Sequence, residues 1–250
     1  MSVRDIRSVV EDMDARLVRM PPDRSAHRLF LDTYRRTTLA VGKAVEDGSF
    51  EDPEWVEEWD VAFADLYLAA LDLDLGGSPA VPRPWRLAFE APSSLPALRH
   101  VLLGINAHIN YDLPQALLAV IPDADFADAR VVARRGRDHE RIDGVLSGRV
   151  AAEDAELGAV TPPTLVDRVL QPLNRLSSKR FLREARRKVW HNTLELQRAR
   201  AAGASPYAAR LAELEVLSAA RIADLLAPGP VLLRLAVAGF GVTLPPPAGS

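Results

Sequence analysis

The sequence predicts an all-α protein, a single multi-helix domain of about eight to ten helices over residues 1–244. Apolar residues recur at three- and four-residue intervals along most of the 250 residues. Prolines, glycines and N-cap residues interrupt this periodicity where helices of ordinary length would end. No alternating apolar and polar run of more than four residues indicates a β-strand, and no long linker indicates a second domain.

The first half of the chain divides at prolines, glycines and capping residues. Asp52 followed by Pro53 is typical of an N-cap and a first-turn proline. The predicted helices are a first that Pro21-Pro22 ends, a second from Asp23 to Gly48, a third from Asp52 to about residue 73, a short one at 85–89, and a fifth that starts at Ser94 or Pro96.

The second half divides in the same way. The predicted helices are 114–120, one from Asp123 or Asp125 to Gly148, one from Pro162 that breaks near Pro172, one from Ser177 or Ser178 to about residue 202, one at 208–226, and a last apolar one from Pro228 or Pro230 to 239–241. Residues 245–250 are expected to form a disordered tail.

Composition excludes several kinds of protein. The chain has no cysteine, so disulfides and thiolate metal sites are excluded. The net charge of −3 gives no reason to expect nucleic acid. The N-terminus lacks the apolar core of a signal peptide, and no uncharged apolar run reaches the roughly 20 residues of a membrane span. We therefore expect a cytoplasmic protein with no membrane partner.

Residues 104–114 combine an apolar helical run with a concentration of polar side chains. The polar members are Asn106, His108, Asn110, Tyr111 and Asp112. His108 and Asp112 are four residues apart, which places both on one helical face. Pro114 should kink or break the helix, because its ring clashes with the carbonyl four residues earlier. We interpret this stretch as the site, or as half of it.

Simpler interpretations remain open for these residues. His108 could be a core histidine that bonds a carbonyl, and Asp112 could cap the helix that follows. Asp60 lies among aromatic residues, and a buried carboxylate needs a cation or an ion pair. A salt bridge to an arginine would meet that need as well as a metal would.

Two further histidines also precede a carboxylate by four residues: His139 precedes Asp143, and His191 precedes Glu195. Asp138 adds a carboxylate directly beside His139. Such a pair can supply two metal ligands from one helix, but the same spacing is common on solvated helix faces.

Residues 100–114 resemble the signature of a mostly uncharacterised, largely bacterial family of helical proteins. Residues 59–68, 84–85 and 138–143 resemble its flanking motifs, and the similarity extends over roughly residues 5–200. The family resembles the non-haem diiron monooxygenase of platensimycin and platencin biosynthesis, an all-helical hydroxylase of a diterpenoid. The resemblance implies a dinuclear metal centre with iron favoured, an apolar small-molecule substrate and a reductase as partner.

A second similarity concerns the order of ligands along the chain. The order is Asp60, His108, Asp112, His191 and Glu195, and it is similar to that of the zinc-dependent phospholipase C and single-strand nuclease superfamily. That superfamily is also all-helical, but it uses an N-terminal tryptophan and further histidines that this chain lacks.

These patterns lead us to expect a metalloenzyme. The expected metal ligands are Asp60, His108, Asp112 and His139, with Asp138 or His191 completing the set. Asn106, Asn110 and Tyr111 are expected to orient the substrate. Iron would imply hydroxylation of an apolar molecule, whereas zinc would imply hydrolysis, and manganese also suits such ligands. The competing expectation is a metal-free helical binding protein; the oligomeric state stays open.

Overall fold

The computed structural model describes residues 4–160, 165–229, 234–235 and 239–247, with side chains in these ranges except at 98, 143 and 146–183. Most residues in these ranges are helical and none forms a β-strand, which confirms the predicted fold class. The helices are α1 (Ile6–Arg19), α2 (Ser25–Glu46), α3 (Pro53–Leu75), α4 (Arg83–Phe89), α5 (Ala97–Ala107), a π turn (His108–Asp112), α6 (Leu113–Val120), α7 (Asp123–Ala127), α8 (Ala129–Val160), α9 (Leu165–Ala202) and α10 (Ala204–Leu226).

Side chains cap α1 and α3 of the first five helices, whereas α2, α4 and α5 begin without a capping hydrogen bond from a side chain. The Asp52 carboxylate accepts the backbone N–H of Trp55 at 3.2 Å, and Pro53 occupies the first turn of α3, as predicted. The prediction that Asp23 caps α2 is wrong. The N–H of Arg24 bonds the Pro21 carbonyl at 3.1 Å, and this turn delays the helix until Ser25.

The second half departs more from the prediction. Asp128 divides the expected helix into α7 and α8, because its Oδ1 accepts the backbone N–H of Arg130 at 2.8 Å. The α8 helix then continues past Gly148, and α9 runs without a break through Pro172. The predicted last helix falls largely on residues 230–233 and 236–238, outside the described residues, as do residues 248–250 of the predicted tail.

The central helix of the fold consists of α5, the π turn and α6, which follow one another without a gap from residue 97 to 120. It is surrounded by α2, α3, α4, α9 and α10, which explains why its sequence is apolar on nearly every side. Helix α2 approaches very closely at Gly104, where a Cβ would lie 2.3 Å from the ring of Phe30.

The π turn replaces the break that Pro114 was expected to cause. The N–H of Leu113 bonds the carbonyl of His108, five residues back, so the turn is wider than an α-helical one. This register relieves the clash that the Pro114 ring would make with the Asn110 carbonyl in an α-helix. The chain therefore stays helical through the proline.

None of the helices in the described ranges has the length and apolar composition that crossing a bilayer requires.

Candidate functional site

The polar residues of the central helix face two different sides. His108 and Asp112 face the aromatic residues of α2, α3 and α4. Asn106 and Asn110 bond each other at 2.9 Å, and Asn110 also bonds the C-terminal segment at Phe240. The His108–Asp112 pair and the Asn106–Asn110 pair therefore do not form one site. Residues two apart on a helix point to nearly opposite sides, and each pair is offset from the other by two residues.

His108 and Asp112 form a buried pair, in which His108 Nδ1 lies 2.9 Å from Asp112 Oδ2. The indole N–H of Trp85 donates to the same oxygen at 2.7 Å. Asp112 makes no capping hydrogen bond to α6. The two contacts named in the simpler interpretation are therefore not the ones formed: His108 bonds a carboxylate, and the Asp112 side chain makes no capping hydrogen bond.

The second ring nitrogen of His108, Nε2, has no hydrogen-bond partner among the described residues. The histidine is 3% exposed, so bulk water does not reach that nitrogen freely. A buried polar atom without a partner costs free energy, and it calls for an explanation such as a bound ion or water.

Aromatic rings enclose the imidazole of His108. Phe63 stacks on it with a centroid distance of 3.5 Å and an interplanar angle of 5°, and Tyr34 meets it edge-on at 4.5 Å. The other rings around it are those of Phe30, Tyr67 and Trp85. The sequence alone gives no indication that Trp85, Phe63 and Tyr34 surround His108, since only folding brings them together.

Burial dominates the electrostatics of this centre. It lowers the pKa of His108 well below its ordinary value and raises the pKa of Asp112 well above its own. Burial, and then the charge of Glu57, raise the pKa of Asp60 to about 7. Burial also raises the pKa of the Tyr34 hydroxyl, and the charges of Asp60 and Asp112 raise it further. The negative charges of Asp60 and Asp112 are therefore both felt at the Tyr34 hydroxyl.

Asp60 and His139 lie buried in the neighbourhood of Trp59. Asp60 is 3% exposed, its Oδ2 has no partner, and it has no arginine salt bridge in the described part of the chain. The His139 ring packs 6.4 Å from Trp59 and 5.6 Å from Trp190, centroid to centroid. Burial, and then the charge of Arg186, lower the pKa of His139 well below its ordinary value.

Two other predicted ligands are engaged elsewhere. The Asp138 oxygens accept the backbone N–H groups of Glu51 and Asp52, each at 2.8 Å, which ties α8 to the start of α3. His191 is exposed, and its Nε2 lies 3.2 Å from the Leu244 carbonyl. Both side chains are therefore already engaged in hydrogen bonds to the backbone.

Tyr111 belongs to a second apolar cluster, away from the rings around His108. The cluster contains Leu118, Leu196, Leu214, Val242 and Leu244. Burial raises the pKa of the Tyr111 hydroxyl. Its surroundings are those of a packing residue.

The described side chains do not form a complete metal site as they stand. No three histidine, aspartate or glutamate side chains in this part of the protein lie close enough together to hold one ion. Asp60 Oδ2 and His108 Nε2 are each buried without a hydrogen-bond partner among the described residues, and the ring nitrogens of His139 make no well-formed hydrogen bond there either.

Comparison with known proteins gives one match. A model of a family of unknown function (DUF5995) matches residues 6–228 of this chain. No curated protein and no solved structure matches it.

Proposed function

The chain belongs to the DUF5995 family, whose function is unknown, and we propose that it is a metal-dependent enzyme with His108 as its principal ligand. The unpartnered Nε2 of His108 carries this proposal. Metal-binding histidines usually donate their other ring N–H to a carboxylate, which fixes the tautomer and the ring orientation. Asp112 occupies that position, and Trp85 holds Asp112 in turn.

Asp60 and His139 are the other ligands in this proposal. A buried carboxylate oxygen without a partner is costly, and a bound cation would offset that cost. Asp112 then orients His108 and does not bind the ion, which revises its expected role. Imidazole and carboxylate ligands suit iron, manganese or zinc. Water would complete the coordination, and His139 would serve the second ion of a dinuclear centre.

The surroundings favour an apolar small molecule as the substrate. Phe30 and Trp85 lie against the His108 ring, and both also line a small, largely apolar pocket that would have to widen to admit a substrate. The rings exclude water from the centre and offer dispersion contacts to a hydrocarbon. Iron, when bound, would supply oxygen activation for hydroxylation, with electrons delivered by a reductase. This chain's part is to hold the ion, orient the substrate and keep the centre dry.

Elemental analysis of protein purified without a metal-affinity tag tests the proposal. We expect iron or manganese in the wild type and its loss from His108→Gln. His27→Gln is a matched control, because His27 is also buried and bonds a carboxylate, that of Asp74, at 2.9 Å. The control should retain its metal. Asp112→Asn should weaken metal affinity by about 10- to 100-fold, as expected when an orienting carboxylate is lost.

The identity of the metal separates the alternatives. If the wild type contained zinc, the proposed reaction would be hydrolysis, as in a phosphoesterase-like enzyme, and not hydroxylation. Absence of any metal, even after anaerobic reconstitution with ferrous iron, would overturn the proposal and leave a helical binding protein.

A further inference from the structure

The C-terminal segment, residues 239–245, lies extended along α9 instead of forming a helix. Gly239 lies close to the side chain of Glu184 on α9, and Gly241 lies close to that of Lys188, one helical turn further along. Further along, Leu244 bonds Asn192. The segment therefore runs in the same direction as the helix, in a groove that α9 forms with the π turn and α10.

Two asparagines bind the segment as a neighbouring β-strand would. Asn110 donates to the Phe240 carbonyl at 3.3 Å, and its Oδ1 accepts the Val242 N–H at 3.2 Å. Asn192 donates to the Val242 carbonyl at 3.0 Å, and its Oδ1 accepts the Leu244 N–H at 2.9 Å. Each amide thus pairs with both backbone groups that an extended chain presents on one side.

Further polar groups of the groove also contact only the backbone of the segment. Lys188 Nζ donates to the Gly241 carbonyl at 3.0 Å, and His191 Nε2 lies 3.2 Å from the Leu244 carbonyl. Arg210 donates to the Pro245 carbonyl. Such contacts recognise an extended backbone whatever its side chains, which is the mode by which proteins capture peptides in strand form.

The apolar side chains of the segment supply the selectivity. Phe240, Val242 and Leu244 alternate along it and are buried, whereas Thr243 between them is exposed. A Cβ at Gly241 would lie 2.8 Å from the Lys188 side chain and 3.1 Å from the α9 backbone. The groove therefore fits an apolar residue, a glycine, an apolar residue, any residue and an apolar residue, in that order.

We propose that this groove is a peptide-docking site, and that the C-terminal segment is its intramolecular occupant. The partner is an extended peptide with the pattern of residues 240–244, which competes with the segment for Asn110 and Asn192. The proposal gives a role to His191, whose Nε2 lies 3.2 Å from the Leu244 carbonyl. It does not depend on the proposed metal centre.

The test measures binding of a fluorescent peptide with the sequence of residues 239–247 to the full-length chain by fluorescence polarisation. Gly241→Val should expel the intramolecular segment, because its side chain cannot fit against α9, and should leave the groove intact. Leu244→Lys should do the same by removing an apolar anchor. Both variants should bind the peptide about tenfold or more tightly than the wild type, since the competing occupant is released.

Two controls establish where the peptide binds. Adding Asn192→Ala to Gly241→Val should weaken peptide binding at least severalfold, and a peptide carrying the Gly241→Val change should not bind. Folded variants that bind the peptide no better than the wild type would overturn the proposal. Loss of cooperative folding in both segment variants would also overturn it, because the segment would then be an integral part of the core.

Discussion

Replacing Trp85 by phenylalanine should destabilise the protein by more than the loss of ring size accounts for. The substitution removes the indole N–H that donates to Asp112 at 2.7 Å, in a position where Trp85 is 1% exposed. Trp55 offers a matched control, because it is 2% exposed and its indole N–H has no partner among the described residues. The two substitutions remove the same atoms, so their difference reports the buried hydrogen bond, worth about 1–3 kcal/mol, less what the Arg135 guanidinium 4.7 Å above the Trp55 ring loses in the control.

Urea unfolding followed by circular dichroism measures this difference. With a slope of about 2 kcal/mol/M, the Trp85→Phe midpoint should lie about 0.5–1.5 M below that of Trp55→Phe. Equal losses of stability in the two variants would show that the Trp85 hydrogen bond contributes nothing net. The account of how Asp112 is held, and through it His108, would then fail.

Three further predictions concern packing, pH and the separation of structural from metal-binding carboxylates. Gly104→Ala should destabilise the protein by about 1–3 kcal/mol, because the added Cβ overpacks against Phe30. Gly144→Ala should stabilise it by about 0.5–1 kcal/mol, because nothing lies within 4 Å of the added Cβ. Thermal unfolding of the two variants measures the difference. In metal-free protein the folded-state pKa of Asp60, about 7, lies above its ordinary value, so the contribution of Asp60 to stability should be greatest at low pH and should fall by about 4 kcal/mol as pH rises from 4 to above 7. Asp60→Asn should lack this loss, and parallel pH profiles for the two proteins would contradict the assigned burial. Asp138→Asn should cost about 2 kcal/mol through its backbone hydrogen bonds yet keep the metal content of the wild type, and loss of metal with unchanged stability would make Asp138 a ligand.

Local sequence signals were enough for the fold class and for most helix limits. The Asp52 cap and the prolines act on backbone groups within a few residues. The helix limits that they set can therefore be predicted without knowing the tertiary structure. The division at Asp128 shows the limit of this approach, since a capping aspartate inside a periodic run competes with helix continuation. The helical periodicity before and after Asp128 does not show whether capping or continuation of the helix prevails.

The candidate site was predictable only in part. The spacing of His108 and Asp112 correctly predicted that they face each other. Asn110 points away from His108 and binds the C-terminal segment, a long-range contact that the local sequence does not indicate. Trp85 reaches Asp112 from 27 residues away, and no local pattern records such a contact.

The π turn links the two surfaces on which the proposals depend. His108 and Asp112 face the aromatic centre, and Asn110, between them in sequence, binds the C-terminal segment. Because π turns are less stable than α-helical ones and often occur at functional sites, contacts on both sides help to maintain this one.

Pulsed electron paramagnetic resonance of the protein loaded with Mn²⁺ or Cu²⁺ tests the central claim most directly, because it detects nitrogen bound to the metal. We predict an imidazole-nitrogen coupling in the wild type that is lost or altered in His108→Gln and unchanged in His27→Gln. A spectrum that stays the same in His108→Gln, with equal metal bound, would contradict the assignment of His108 as a metal ligand.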